Sequence, residues 1–271
     1  MALGLPLPLM SEHPEIPNFL TIIEESKATH GIAQTPLFQL LCAYQNEVFS
    51  LLMVVLVSLF VIRASRRFSV ERPTKVQNAL ESIVEGFDGM TSGFLGRETG
   101  RFFLPFLGTL FFFIWFNNMM GMVPFMKAST SWYATTLGLA LCTFVVVQIT
   151  AVIKLNPLGY LHHLMGEPRG GMWVLAPLFL VLHLIGEVAK PLSLSLRLFG
   201  NILGEDILLG TFLGFGVAIS AAIHMDLLPI PLHLPFMFLS LLAGSIQAVV
   251  FFMLSMIYIQ LVLPHHEEEG H

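Results

Sequence analysis

Long apolar runs separated by short polar stretches divide this chain into five segments that are each able to cross a membrane as a helix. A transmembrane helix needs about 20 predominantly apolar residues. The predicted membrane helices cover residues 46–63, 102–124, 133–154, 173–218 and 232–263. We place a polar loop over residues 154–172, between the third and fourth segments.

A sixth segment, residues 75–95, has apolar and polar side chains alternating at helical spacing. Its apolar positions are Val76, Leu80, Ile83, Val84, Phe87 and Met90, and its polar positions are Lys75, Gln77, Asn78, Glu81, Glu85 and Asp88. This pattern predicts an amphipathic helix at the membrane interface. Residues 1–45 form a predicted extramembrane arm, in which Ile16–Lys27 is either a short amphipathic helix or flexible chain, and residues 264–271 form a polar tail.

The last two membrane segments are too long to cross the bilayer upright. As one helix, residues 173–218 would extend about 69 Å, whereas the hydrocarbon core is about 30 Å thick. Residues 232–263 would extend about 48 Å by the same rise per residue. The residues alone leave two alternatives for 173–218: a hairpin of two short spans, or a single helix lying far from the membrane normal.

The composition agrees with a polytopic all-α membrane protein. Apolar residues make up 55% of the chain and charged residues only 11%, against about 25% charged residues in soluble domains. The small net charge of −5 argues against nucleic-acid binding. The two cysteines, Cys42 and Cys142, suggest no disulfide framework, metal site or redox motif. We also find no glycine-rich phosphate loop, so we predict no cofactor and no enzymatic activity for the chain itself.

The distribution of Lys and Arg predicts the orientation. Seven lie in 63–101 and two in 154–172, whereas only Lys27 and Lys127 lie in the extramembrane segments assigned to the other side. Positively charged loops remain cytoplasmic. We therefore expect the N-terminus outside and the C-terminus in the cytoplasm, which in a bacterium means a multi-pass protein of the inner membrane.

The fourth membrane segment carries a stripe of polar residues. On a helical wheel, Arg197 shares one face with the polar residues His183, Glu187, Lys190, Asn201 and Glu205, while Asp206 lies on the opposite face. A milder stripe in the last segment comprises His233, Ser240, Gln247 and Tyr258. Charges at membrane depth are costly, and Arg197 cannot lose its proton. Two such stripes predict a water-accessible path for ions or protons.

Structural interpretations of the same residues remain open. Glu187 and Lys190 are spaced i, i+3 and could neutralise one another, and His183 could be a packed hydrogen-bonding residue between helices. Arg197 could pair with Glu205 or with backbone carbonyls.

The amides have structural interpretations as well, because amide side chains often hold membrane helices together. This applies to Asn201 and Gln247, and Asn117 and Asn118 at the end of the second segment favour it. Two other function classes are a secondary transporter, whose usual internal repeat this chain lacks, and a purely structural assembly subunit, for which Arg197 would be dispensable.

Two stretches resemble subunit a of F-type ATP synthase: KPLSLSLRLFGNILGEDILL at 190–209 and SIQAVVFFMLSMIYI at 245–259. The resemblance implies a membrane stator subunit beside a rotating ring of c subunits, with the last two helices forming a strongly tilted hairpin. It implies two aqueous half-channels kept apart by Arg197, which pairs transiently with a c-subunit carboxylate. The other implied partners are the peripheral-stalk b subunits, the F1 sector through the stalks, and membrane lipids.

The resemblance also assigns roles along the proton path. Asn201 and Gln247 match the amides near the family's arginine. By chain direction, Glu205 and Asp206 belong to the outside half-channel, and the cytoplasmic half-channel receives His183, Glu187, Lys190 and Ser193.

The chain departs from the family pattern at two places. Some members have a Gly-Glu pair where this chain has Glu205-Asp206, and a histidine where it has Ser240. We therefore expect Glu205 to share in proton handling. The sequence leaves open whether the ion is H⁺ or Na⁺, and whether Glu205 or Asp206 carries the proton.

Overall fold

The computed structural model describes residues 44–66, 68–69, 73–123, 126–166, 174–223 and 230–263. Within them the chain forms six α-helices: α1 Gln45–Ser65, α2 Lys75–Leu95, α3 Arg97–Gly121, α4 Tyr133–Leu164, α5 Ala176–Ala222 and α6 Leu234–Val262. All but α2 are long and apolar enough to cross a membrane. This confirms the predicted fold class. The predicted polar tail and nearly all of the N-terminal arm lie outside the described residues.

The amphipathic helix α2 has well-defined ends. The side chain of Thr74 accepts a hydrogen bond from the Gln77 backbone N–H at 3.2 Å, and Gly96 follows the last residue with a φ of 79°. This left-handed backbone suits glycine because it has no Cβ. Helix α3 begins directly afterwards at Arg97. It therefore starts five residues before the predicted boundary at 102.

Helix α4 is broken where the sequence places the end of the third span. Asn156 has φ 58° and ψ 156°, and Pro157 follows it. A residue before proline is disfavoured in helical geometry, whereas proline is well suited to a first helical turn. The chain consequently resumes helical turns as far as Leu164. The prediction of a loop over residues 154–172 is therefore wrong for residues 154–164, which belong to α4.

Helix α5 is one continuous helix of 47 residues that contains Pro191. At about 1.5 Å per residue its length is about 70 Å. The single long helix is therefore correct, and the hairpin of two short spans is not. Proline within the helix removes one backbone donor but does not end it here.

The chain divides into two compact units. The first unit comprises residues 1–70, 112–132 and 198–248, and the second comprises residues 71–111, 133–197 and 249–271. In the second unit, an apolar core is built from α2, α3, α4 and α6 around Leu107, Phe252 and Met256. The ring of Phe87 packs edge-on against Phe252 with centroids 5.0 Å apart. In the first unit, Phe212 of α5 stacks on Phe236 of α6 at 3.8 Å.

Candidate functional site

Arg197 lies on the outward face of α5. Leu194, three residues earlier, is only 1% exposed, whereas Arg197 and Ser193 are exposed. No side chain or backbone oxygen in the described parts of the chain forms an ion pair or hydrogen bond with its guanidinium. Arginine stays charged under all physiological conditions. Among the described residues its charge thus has no partner, and its exposed position leaves it available to a group outside this chain.

A second charged group on α5 is fully paired. Lys190 donates a hydrogen bond to Oε1 of Glu187, as the i, i+3 spacing allows. Gln148 of α4 donates from Nε2 to the other carboxylate oxygen of Glu187 at 2.7 Å, and the hydroxyl of Tyr160 donates to Oε1 of Gln148. The mutual neutralisation considered from the sequence is therefore formed, with α4 contributing to it.

Tyr258 of α6 completes this cluster. Its ring centroid lies 5.7 Å from the Lys190 ammonium, within cation–π range. A narrow crevice beside the pair is lined by Glu187, Lys190, Tyr258 and Thr143, together with apolar residues of α4 and α5. Its accessible volume of about 10 Å³ is roughly that of one water molecule. Sequence reasoning did not single out Gln148 or Tyr160, because nothing in the pattern of α4 marks them.

His183 is exposed on α5, and its Nδ1 lies 3.0 Å from the carbonyl oxygen of Phe179, one turn earlier on the same helix. Ser193 is exposed as well. The exposed position of His183 differs from the packed residue between helices that the structural interpretation expected.

In the first unit, two predicted site residues contact each other. Asn201 donates from Nδ2 to Oε1 of Glu205 at 2.7 Å, and both side chains are half-buried. Asp206 is half-buried too. The two adjacent acids therefore differ in their neighbours more than in their exposure, since Glu205 is the one that Asn201 binds.

Helix α6 carries a row of buried polar atoms. Ser240 is 2% exposed and Gln247 is 7% exposed. Within the described residues, Oγ of Ser240, Nε2 of Gln247 and Nδ1 of His233 have no hydrogen-bond partner. Ser240 and Gln247 lie seven residues apart on one face of α6, and His233, seven residues before Ser240, immediately precedes the helix. Buried polar groups normally find a partner, so this face is suited to water or to a polar group from another molecule.

Comparison with known proteins identifies the family. Residues 48–260 match the family model for the ATP synthase A chain. This chain belongs to the ATP synthase subunit a family. It is 42% identical over 97% of its length to an ATP synthase subunit a of Protochlamydia amoebophila, covering 94% of that relative. It is 33% identical over 98% of its length to the subunit a of Solidesulfovibrio magneticus, covering 99% of it.

Membership of the subunit a family confirms the resemblance noted in the sequence. A subunit a is a membrane subunit of the F0 sector and not a nucleotide-binding subunit, in agreement with five helices able to span a membrane. The residues matched, 48–260, begin within α1 and end within α6.

The first unit of the chain also contains a buried polar contact between α3 and α6. Asn118 donates from Nδ2 to the carbonyl oxygen of Gly244 at 3.1 Å and accepts from the hydroxyl of Thr130 at 2.9 Å. Trp115 donates to the hydroxyl of Ser245 at 3.0 Å. These bonds join helix surfaces and are consistent with the structural interpretation of Asn118.

Proposed function

We propose that this chain is the proton-translocating stator subunit a of an F-type ATP synthase. It provides two aqueous half-channels separated by Arg197 beside a rotating ring of c subunits, and it couples proton flow to rotation and ATP synthesis. The observation that carries this proposal is the guanidinium of Arg197, which is exposed on an apolar membrane helix and has no ion-pair or hydrogen-bond partner among the described residues. Family membership supports the same role.

The chemistry of Arg197 explains why it separates the half-channels. A charge in the membrane is costly unless a counter-charge approaches it. A c-subunit carboxylate that has released its proton supplies that counter-charge, whereas a protonated one does not. Arginine cannot give up a proton at any physiological pH. It therefore favours the ionised carboxylate and blocks direct passage of protons from one half-channel to the other.

The remaining polar residues are assigned to the two half-channels. Glu205 and Asp206 serve the outside half-channel with Asn201, and the unpartnered polar atoms of Ser240 and Gln247 on α6 support a polar path there. The residues assigned to the cytoplasmic half-channel are His183, Glu187, Lys190 and Ser193. A proton enters through the outside half-channel and binds to a c-subunit carboxylate. Rotation of the c ring carries it to the cytoplasmic half-channel, through which it leaves.

The location and partners follow from this role. We assign the chain to a bacterial inner membrane with its N-terminus outside and its C-terminus in the cytoplasm, beside the c ring and the peripheral-stalk b subunits, which connect it to the F1 sector. The alternative coupling ion is Na⁺. Comparing ATP-driven ion uptake with and without added Na⁺ distinguishes the two, because a sodium enzyme requires Na⁺ for rapid uptake.

The decisive experiment is Arg197→Ala in the complete ATP synthase. Inverted membrane vesicles are energised with ATP and their acidification is followed with a pH-sensitive dye. We expect acidification to be abolished, because the c-ring carboxylate then lacks its positive partner. Arg66→Ala, which removes an exposed arginine just after α1, is the matched control and should pump normally. Normal pumping by the Arg197 variant would overturn the proposal.

A further inference from the structure

The carboxylate of Glu187 is engaged on both oxygens. Lys190 donates to Oε1, and Gln148 donates to Oε2 at 2.7 Å. Because the Tyr160 hydroxyl donates to the oxygen of the Gln148 amide, the amide must turn its NH₂ group toward Glu187. Two residues of α4 therefore hold the orientation of a carboxylate on α5.

Lys190 is confined from the other side. Its ammonium lies between the Glu187 carboxylate and the ring of Tyr258, 5.7 Å from the ring centroid. The Lys190 side chain is 23% exposed and that of Glu187 is 15% exposed. Such partial burial strengthens the attraction between the two charges relative to bulk water. The ammonium is thus both neutralised and covered.

The pairing of Lys190 with Glu187 matters because Lys190 lies close to Arg197 on the same helix. Lys190 and Arg197 are the two cations of α5. They are seven residues apart, which is nearly two turns, or about 10 Å, along the same face. A free ammonium at Lys190 would therefore be a second cation close to Arg197, able to attract the same carboxylate.

We propose that Gln148 and Tyr160 are positioning residues that fix Glu187 as the permanent counter-ion of Lys190, leaving Arg197 as the one cation of α5 that pairs with the c-ring carboxylate. This inference rests on the proposed function and refines the role of one assigned residue. Glu187 lines the cytoplasmic half-channel as a counter-ion and does not carry protons. Both carboxylate oxygens of Glu187 are already engaged by donors, Oε1 by Lys190 and Oε2 by Gln148.

A double-variant experiment distinguishes a counter-ion from a proton carrier. If Glu187 is a counter-ion, Glu187→Gln leaves the Lys190 charge free to trap the c-ring carboxylate, and removing that charge restores function. If Glu187 carries protons, removing Lys190 restores nothing. The variants are E187Q, K190Q and E187Q/K190Q in the complete ATP synthase, and the readout is ATP-driven acidification of inverted vesicles per assembled complex.

We expect E187Q to reduce the initial rate of acidification by about tenfold, since an unpaired cation attracts the carboxylate strongly in this environment. The double variant should recover at least about half of the normal rate, because neither charge is then left uncompensated. The matched control is Glu81→Gln on α2, whose carboxylate also accepts from a glutamine amide, at 2.9 Å, and it should pump normally. A double variant as impaired as E187Q overturns the inference.

The positioning role of α4 is tested by Gln148→Leu and Tyr160→Phe. Each should slow acidification, with Gln148→Leu having the larger effect because its amide binds the carboxylate directly. Neither should add to the effect of K190Q, since the Lys190 charge that Glu187 restrains is then absent. If E187Q fails to assemble, these two variants still test whether Glu187 acts as the counter-ion of Lys190. An effect of Gln148→Leu that is unchanged in the K190Q background contradicts the inference.

Arg197→Ala, measured in the same vesicles, separates this inference from the proposed function. If that variant pumps normally, the proposed function fails. If it does not pump, but K190Q fails to rescue E187Q, only the counter-ion role of Glu187 fails.

Discussion

Asn118 bonds to two residues that lie outside α3, and its replacement by leucine tests how much this polar contact contributes to stability. Its Nδ2 donates to the carbonyl oxygen of Gly244 on α6, and its Oδ1 accepts from Thr130. A Cβ placed on Gly244 would approach the Cβ of Asn118 to 3.2 Å. The two helix backbones are therefore close at this point, and leucine has little room to adjust.

The expected destabilisation is about 2–4 kcal/mol, the sum of lost hydrogen bonds and a stranded hydroxyl. Hydrogen bonds between membrane helices contribute about 0.6 kcal/mol each on average, so the two lost bonds account for about 1.2 kcal/mol. The Thr130 side chain is fully buried, with 0% exposure. Its hydroxyl loses its acceptor in the variant, which costs about 1–3 kcal/mol for a buried group. The stranded hydroxyl therefore contributes at least about as much to the destabilisation as the two lost bonds.

The neighbouring Asn117 provides a matched control. It is also buried, but its Nδ2 donates at 2.8 Å to the carbonyl oxygen of Phe113 on the same helix, and its Oδ1 is among the buried polar atoms without a partner in the described part of the chain. Replacing it by leucine strands no other side chain and removes an unsatisfied acceptor. We expect a change in stability of less than about 1 kcal/mol.

The assay is unfolding of the purified subunit in detergent by added SDS, followed through Trp115 in a background with the other tryptophans replaced by phenylalanine. Trp115 donates to Ser245 in the same helix contact, so its fluorescence reports on the region of interest. Asn118→Leu should unfold at a clearly lower SDS fraction than the parent, and Asn117→Leu should remain near it. Equal shifts, or a larger shift for Asn117→Leu, would refute the reasoning.

Two further comparisons use neighbouring residues in the first unit. Glu205→Gln should slow passive proton flux through F0 in vesicles more than Asp206→Asn, because Asn201 binds Glu205 and Glu205 shares the polar stripe; equal effects would contradict this. Gly216→Ala should lower the melting temperature of the subunit, since a Cβ there would lie 2.2 Å from the carbonyl oxygen of Ile230. The control is Gly214→Ala, where a Cβ meets nothing within 4 Å, and it should be neutral or stabilising by up to about 1 kcal/mol. A fall in its melting temperature as large as that of Gly216→Ala would count against the steric explanation.

The sequence by itself determined the class of the protein and the type of its helices. A membrane requires every backbone polar group to be satisfied within the helix, so the apolar runs directly mark the spans. The alternating pattern of 75–95 likewise predicted α2, which extends from Lys75 to Leu95. Arg197 stood out from its position within an apolar segment, because an arginine cannot become neutral by losing its proton. The residues around it carried the family resemblance.

Only the tertiary structure decided the partners of the polar residues. Helical periodicity relates residues a few positions apart, so it allowed Glu187 and Lys190 to pair but gave no indication of Gln148, which lies 39 residues away. The contact of Asn118 with Gly244 joins residues separated by 126 positions. Such contacts depend on which helix faces pack together, and packing in a membrane depends on shape complementarity and hydrogen bonds more than on hydrophobicity. For the same reason, apolar composition could not choose between one helix and two short spans for α5.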